Sequence, residues 1–380
     1  MDWRLARWVA AVIVAVALPV GVLAAPKLAV AAAEQTGTGR GVAAAAIEPD
    51  IPWAMHTITS GPRGADGTDL ADVNGDGLAD VTSGWEEGGL VTVSLHPERG
   101  AEAGPWPTVD VATRLYGVED AVFADVDQDG HMDVVTACEC RKVVIYFGPE
   151  RSRILDPAAW TPVTISVSGP VPQRWIKVAV ADIDGDQDTD VLLSDKTSMR
   201  FPDGTIRYDL RGTRWLENHD QGASWTSHPI GFASGEHQFF DVVDFDRDGT
   251  DDVVDAATVR DGNAITFRRN LGDWLGWEPT SIQVPAGVGQ IQDVQAADVD
   301  LDGDLDLALS FSHADGDLSG VVWLEAGPDG TWTRGEVSGP AGTKYDNVSL
   351  EDVDADGDLD VMTSEEIEQL GVVWYENPAR

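Results

Sequence analysis

The stretch DVDADGDLD, residues 352–360, runs directly into VMTSEE and then GVVWYENP, and close copies of it occur five more times. DVNGDGLAD starts at Asp72, DVDQDGHMD at Asp125, DIDGDQDTD at Asp182, DFDRDGTDD at Asp244 and DVDLDGDLD at Asp298. Successive starts lie 53, 57, 62, 54 and 54 residues apart. Each copy but one reads D-x-[DN]-x-D-G-x-x-D. Oxygens at positions 1, 3 and 5 of a tight loop can converge on one point. Gly at position 6 takes the backbone conformation that lets the loop turn sharply, and position 9 closes the shell with a carboxylate. An all-oxygen shell of this kind suits a hard cation of calcium size. Isolated Asp-Gly turns would explain one copy; six copies at near-constant period favour a repeated cation loop.

The candidate ligands are therefore Asp72, Asn74, Asp76 and Asp80; Asp125, Asp127, Asp129 and Asp133; Asp182, Asp184, Asp186 and Asp190; Asp244, Asp246, Asp248 and Asp252; Asp298, Asp300, Asp302 and Asp306; and Asp352, Asp354, Asp356 and Asp360. Up to six calcium ions are expected. In the third copy Gln187 replaces the Gly, so that site is expected to be weaker or empty. An EF-hand is excluded. Its position 12 is a bidentate Glu between helices, whereas position 12 here is Ser83, Thr136, Leu193, Asp255, Leu309 and Thr363. The flanks, as in VFADVDQDGHMDVVTA, are β-branched and alternate, which is strand patterning on both sides of the loop.

Each period carries further marks. An aromatic-led strand opens at Trp53, Trp106, Trp160, Trp225, Trp277 and Trp332, and a third strand ends in a turn, as in KVVIYFGP, TRWLEN, ITFRRN and GVVWYENP. Four short strands per period describe a β-propeller blade. The array starts with a Trp strand at residue 53 and stops after the WYEN strand, so pairing the two ends completes one blade and leaves no open edge. This gives six four-stranded blades in an all-β chain, with ring closure by the N-terminal strand. Seven blades would need a degenerate repeat. The long 62-residue interval contains an insertion near KTSMRFPDGTIRYDLRG, residues 196–212.

These loops, with the following VVWYENP strands, resemble the FG-GAP/VCBS repeat proteins, whose propeller also occurs in integrin α-chains. The resemblance spans roughly residues 50–378. It implies calcium in the loop between the first and second strands of each blade, held by side chains at positions 1, 3, 5 and 9 and a backbone carbonyl at 7. The best-matched loops begin at Asp125, Asp244, Asp298 and Asp352. Integrin propellers have seven blades, so a count of six departs from them. Fungal lectins and some polysaccharide- or sugar-converting enzymes use similar repeats, so the resemblance leaves activity open.

Composition bounds the partners. The chain has 380 residues and a formal charge of −41, which six divalent ions would bring to −29. That charge argues against nucleic acid and anionic membranes. MDWRLAR, the apolar residues 8–24 and A-x-A choices ending at Ala31 or Ala33 read as a signal peptide over residues 1–33. An uncleaved N-terminal anchor is the alternative. Either places the array outside the cytoplasm: secreted, periplasmic or on the cell surface. Residues 34–50 read as a linker, and 51–380 as the propeller, expected to be monomeric and not inserted in a membrane. Cys138 and Cys140, the only cysteines, read as a strand-end C-x-C pair poorly spaced for a disulfide.

No G-x-S-x-G, H-E-x-x-H, Walker or dinucleotide motif is present. His56 and His228 each lie three residues after a blade Trp, which reads as one repeated structural position. The residues just before the innermost strands differ between blades: Tyr116 and Glu119, Arg174 and Trp175, Glu236 and His237, Gln290, Lys344 and Tyr345. Unlike residues on a symmetric scaffold can build an asymmetric ligand site. The expected function is a calcium-binding module for carbohydrate or an extracellular protein. A polysaccharide lyase or sugar dehydratase/isomerase using His237, Lys344 or Tyr345, and a structural cell-surface protein, are the alternatives.

Overall fold

A computed structural model of the chain describes residues 47–167, 174–195, 198–200, 206–208, 214–229, 237–259, 262–272, 276–327 and 330–379. The expected signal segment, most of the expected linker and Glu236 lie outside the described residues, as does the side chain of His237.

Six four-stranded antiparallel sheets are arranged as blades around one axis. The innermost strands are Ala65–Ala71, Val118–Ala124, Trp175–Ala181, His237–Val243, Gln290–Ala297 and Tyr345–Glu351, which number blades 1 to 6. The sixth sheet recruits Ala54–Thr59 as its outer strand, paired antiparallel with Gly371–Glu376 from Ala54 opposite Glu376 to Thr59 opposite Val372. The ring is thus a six-bladed β-propeller, closed by the N-terminal strand. The insertion in blade 3 forms a separate hairpin, Ser198–Arg200 with Ile206–Tyr208.

Second strands such as Asp80–Trp85, Asp133–Cys138 and Asp360–Glu365 are buried at every residue. Blades pack face to face, so both sides of a central strand need apolar cover. The core accordingly lies between neighbouring blades. Between blades 5 and 6, for example, Val299, Ala308, Val321 and Trp323 meet Tyr345, Val348, Val361 and Tyr375. Blade tryptophans pin their own approach turns, with indole N–H groups of Trp106, Trp160 and Trp225 donating to the carbonyls of Glu102, Ile154 and Gly222.

Inner strands are stitched sideways by carboxylates. Asp69 accepts the Phe123 N–H, Asp120 that of Val178, Asp241 that of Ala296 and Asp293 that of Val348. Asn347 donates to the Thr68 carbonyl, joining blade 6 to blade 1. At the axis the buried Lys177 ammonium lies 3.2 Å from Asp293 and 3.6 Å from Asp120, linking blades 2, 3 and 5.

His56 and His228 occupy one repeated position. Each imidazole stacks on a third-strand tryptophan, Trp374 at 4.4 Å and Trp215 at 4.5 Å between ring centres. Each Nε2 meets the glutamate two residues further on, Glu376 at 3.0 Å and Glu217 at 2.6 Å. In blade 5 the corresponding residue is Gly335, and a Cβ there would collide with the Trp323 indole.

Cys138 and Cys140 form a disulfide, with Cα atoms 4.9 Å apart. The expectation that their spacing disfavours one is corrected. The strand ends at Cys138, and the chain then turns, with Arg141 at φ 70°. Cys140 is therefore folded back toward Cys138 rather than carried onward along a strand.

Candidate metal centres

Each Asp loop joins an innermost strand to the second strand of its blade, so all six emerge at the same end of the ring. Their internal bonding repeats. The position-7 N–H donates to the position-5 carboxylate in all six: Leu78 to Asp76, His131 to Asp129, Asp188 to Asp186, Thr250 to Asp248, Asp304 to Asp302 and Asp358 to Asp356. The position-5 N–H donates to position 3 in the same way, from Asp76 to Asn74 through to Asp356 to Asp354. One side-chain oxygen at each of positions 3 and 5 is thereby fixed by backbone.

Two residues per loop are left-handed. Position 6 is Gly at φ 85–100° in five loops, and in the third Gln187 adopts φ 78° with its N–H still donating to Asp182. Position 4 is also left-handed, held by Gly75, Gln128, Gly185, Arg247, Leu301 and Ala355 at φ 58–79°. The third loop thus keeps the shared conformation despite lacking the glycine, with the strain of a side chain there.

Position 9 has a second role. Its carboxylate is buried and accepts two backbone N–H groups, one from the end of the third strand and one from position 2, or in the fourth loop from position 3, where Asp252 takes those of Asn270 and Asp246. Asp133 takes those of Val126 and Gly148, Asp190 those of Ile183 and Asn218, Asp306 those of Val299 and Ala326, and Asp360 those of Val353 and Asn377. Asp80 holds Val73 and His96 likewise. Burial pushes Asp80 up to about 6, Asp133, Asp190 and Asp306 up to about 7 and Asp360 up to about 8, against the lowering effect of those N–H groups.

The donor set fits a hard cation. Carboxylate oxygens of Asp125, Asp127 and Asp133, of Asp182, Asp184 and Asp190, and of Asp244, Asp246 and Asp248 each lie within 4.8 Å of one another. The position-1 acids Asp244, Asp298 and Asp352 each carry a buried Oδ1 with no hydrogen-bond partner. A buried carboxylate oxygen without a donor is costly, and a cation would satisfy it. Both oxygens of Asp358, at position 7 of the last loop, are also buried without partners. Position 7 was expected to offer only its carbonyl; this extra acid was visible as the D-G-D run.

The fourth loop differs. Arg269, from the third strand of blade 4, reaches Asp246 and Asp248 at 2.7 Å each, and its guanidinium lowers the Asp248 pKa. This loop carries its own cation.

Asparagines of the third strands also belong to these centres, although the loop pattern does not mark them. Asn218 Nδ2 donates to the carbonyls of Thr189 and Val126, and Asn377 Nδ2 to those of Leu359 and Val299. Each ties its own loop to that of the preceding blade. Their signal was the recurrent Asn of TRWLEN, ITFRRN and GVVWYENP.

At the opposite end of the ring, Tyr116 is 60% exposed. Arg174 is ion-paired with Glu139, and Lys344 with Asp346 and Glu366. Gln290 is half-buried. Trp175 and Tyr345 are buried core side chains; the Tyr345 hydroxyl bonds Tyr375 and the Ala341 carbonyl. The mouth surface is therefore carried by Tyr116, Arg174, Gln290 and Lys344 among the described side chains of the expected set.

The family model for the FG-GAP-like repeat matches residues 125–193 and 244–309. Each match runs from the first Asp of one loop into the second strand of the following blade. No curated protein matches the chain.

Proposed function

We propose that this six-bladed propeller of FG-GAP-like repeats is an exported module whose loops bind calcium structurally and whose opposite mouth binds carbohydrate or an extracellular protein. The observation that carries the calcium reading is the set of buried, partnerless position-1 oxygens in loops otherwise built of oxygen donors. Positions 1, 3 and 5, with position 9 behind them, would hold the ion, which supplies charge compensation and no chemistry. The repeated loops serve the scaffold, whereas the mouth residues differ from blade to blade, as an asymmetric ligand site requires. The Cys138–Cys140 disulfide supports export, because disulfides persist in oxidising compartments. Among the described residues no helix is long and apolar enough to cross a membrane.

At extracellular affinities of about 0.1–1 mM, millimolar calcium contributes up to roughly 1.4 kcal/mol per site. Six sites give on the order of 8 kcal/mol, comparable with the stability of a whole domain. The thermal midpoint is expected to fall steeply in chelator and recover with calcium; an unmoved midpoint rejects structural calcium. A glycan array in calcium tests the mouth, and loss of binding in Tyr116→Ala and Arg174→Ala would place the ligand there. Silence from a folded sample removes carbohydrate as the ligand.

A further inference from the structure

The mouth carries a second acidic arrangement that the loop pattern does not include. Every inner strand has a β-bulge near its start. At the bulge, six residues before position 1, blades 6, 1 and 2 carry Asp346, Asp66 and Glu119, whereas blades 3, 4 and 5 carry Ile176, Gln238 and Gln292. Six residues after position 9, the same three blades carry Glu366, Glu86 and Glu139. These turns face the same end of the ring as the strand starts. Because ring closure makes blades 6, 1 and 2 consecutive, two acids per blade form one crescent over half the mouth.

Oxygens of Glu86, Glu119 and Glu139 lie within 4.8 Å of one another. Two oxygens on opposite sides of a calcium ion, each about 2.3–2.6 Å from it, are about 4.6–5.2 Å apart, so one ion can span this set. Asp66 supplies an independent sign. It is 2% exposed, and its Oδ2 has no hydrogen-bond partner. Burial, followed by the charges of Asp346, Glu119 and Glu86, holds its carboxyl well above the usual range, with Lys344 opposing. Lys344 engages Asp346 and Glu366 at one end of the crescent, and Arg174 engages Glu139 at the other, so an ion held by Glu139 must share it with Arg174 or displace it.

We propose that Glu86, Glu119 and Glu139, with Asp66 beside them, hold one hard divalent cation at the channel mouth, separate from the six loops. The chemistry is the same all-carboxylate coordination that calcium accepts, but the ligands come from bulges and turns of neighbouring blades. The site does not depend on the loops: either can bind while the other does not.

The test is the number of calcium ions bound per full chain after equilibrium dialysis, compared between the natural protein and Asp66→Asn/Glu119→Gln. One ion fewer in the double variant, with the remainder kept, is expected. An equal count overturns the proposal, as does a natural protein that binds no calcium. Because the count is relative, empty loops do not alter the reading. If the double variant loses its fold, Glu86→Gln at a half-buried turn position decides the matter: one ion fewer supports the site, and an unchanged count rejects it.

Discussion

At the scale of single residues, the position-9 aspartates do most to define the loops. Asp306 is 1% exposed and holds Val299 N–H at 3.0 Å and Ala326 N–H at 2.8 Å. Asn in its place can accept on one side only and turns an amide donor toward the other N–H. Asp306→Asn is therefore expected to cost about 1–3 kcal/mol, read as a lower urea midpoint both with calcium and in chelator. A loss confined to calcium would mean that the carboxylate acts only through the ion. Arg269 gives a second prediction. It occupies Asp246 and Asp248, so an ion must displace it; Arg269→Met should move the calcium titration of the Asp244 loop to lower concentration. An unchanged titration would show that the guanidinium does not compete. Positions 1, 3, 5 and 9 were legible because identical residues recur at one period. The left-handed residue at position 4 was not, because Gly75, Gln128, Arg247, Leu301 and Ala355 share a backbone angle but no side-chain type. Arg269 was hidden as well, since only strand pairing brings it onto the loop.

At the scale of elements, the closing sheet is the exposed point of the design. Ala54–Thr59 is held by backbone pairing and by His56, which stacks on Trp374 and meets Glu376. His56→Ala is expected to lower stability by about 0.5–1.5 kcal/mol from the ring contact, measured by thermal unfolding. Removal of the whole strand should expose the edge of Gly371–Glu376 and cause self-association, visible in light scattering; a truncated chain that stays monomeric would show that the edge is otherwise protected. Strand order, the closing pair and the blade 3 insertion could all be read from the phase of the Trp strands against the Asp loops. The disulfide could not. Ala137–Cys138–Glu139–Cys140 looks like strand continuation, and only the turn after Cys138 brings the two sulfurs together.

At the scale of the whole molecule, the Lys177 bridge ties opposite sides of the ring. Blades 2 and 5 face each other only when the blade count is six, so no linear pattern could pair Asp120 with Asp293. Burial pushes Asp293 up to about 7, against the opposing charge of Lys177. Its folded value lies above its unfolded one, so the associated stability is complete below about pH 4 and is lost as pH rises through about 7. The thermal midpoint should fall between pH 5 and pH 8. Asp293→Asn should reduce that fall, by up to about 1.4 kcal/mol per pH unit across the titration; an undiminished fall would place the slope on other groups. The ring closure also governs timing. His56 and Glu376 are 320 residues apart in the chain, and contacts that distant form slowly. During synthesis Ala54–Thr59 has no partner until Gly371–Glu376 has been made. Five blades can assemble in order while the sixth waits, and the unfinished chain carries an unpaired strand at its start throughout. The protein is therefore most vulnerable to misassembly just before Gly371–Glu376 is made, and whatever delays that strand delays the docking of Ala54–Thr59.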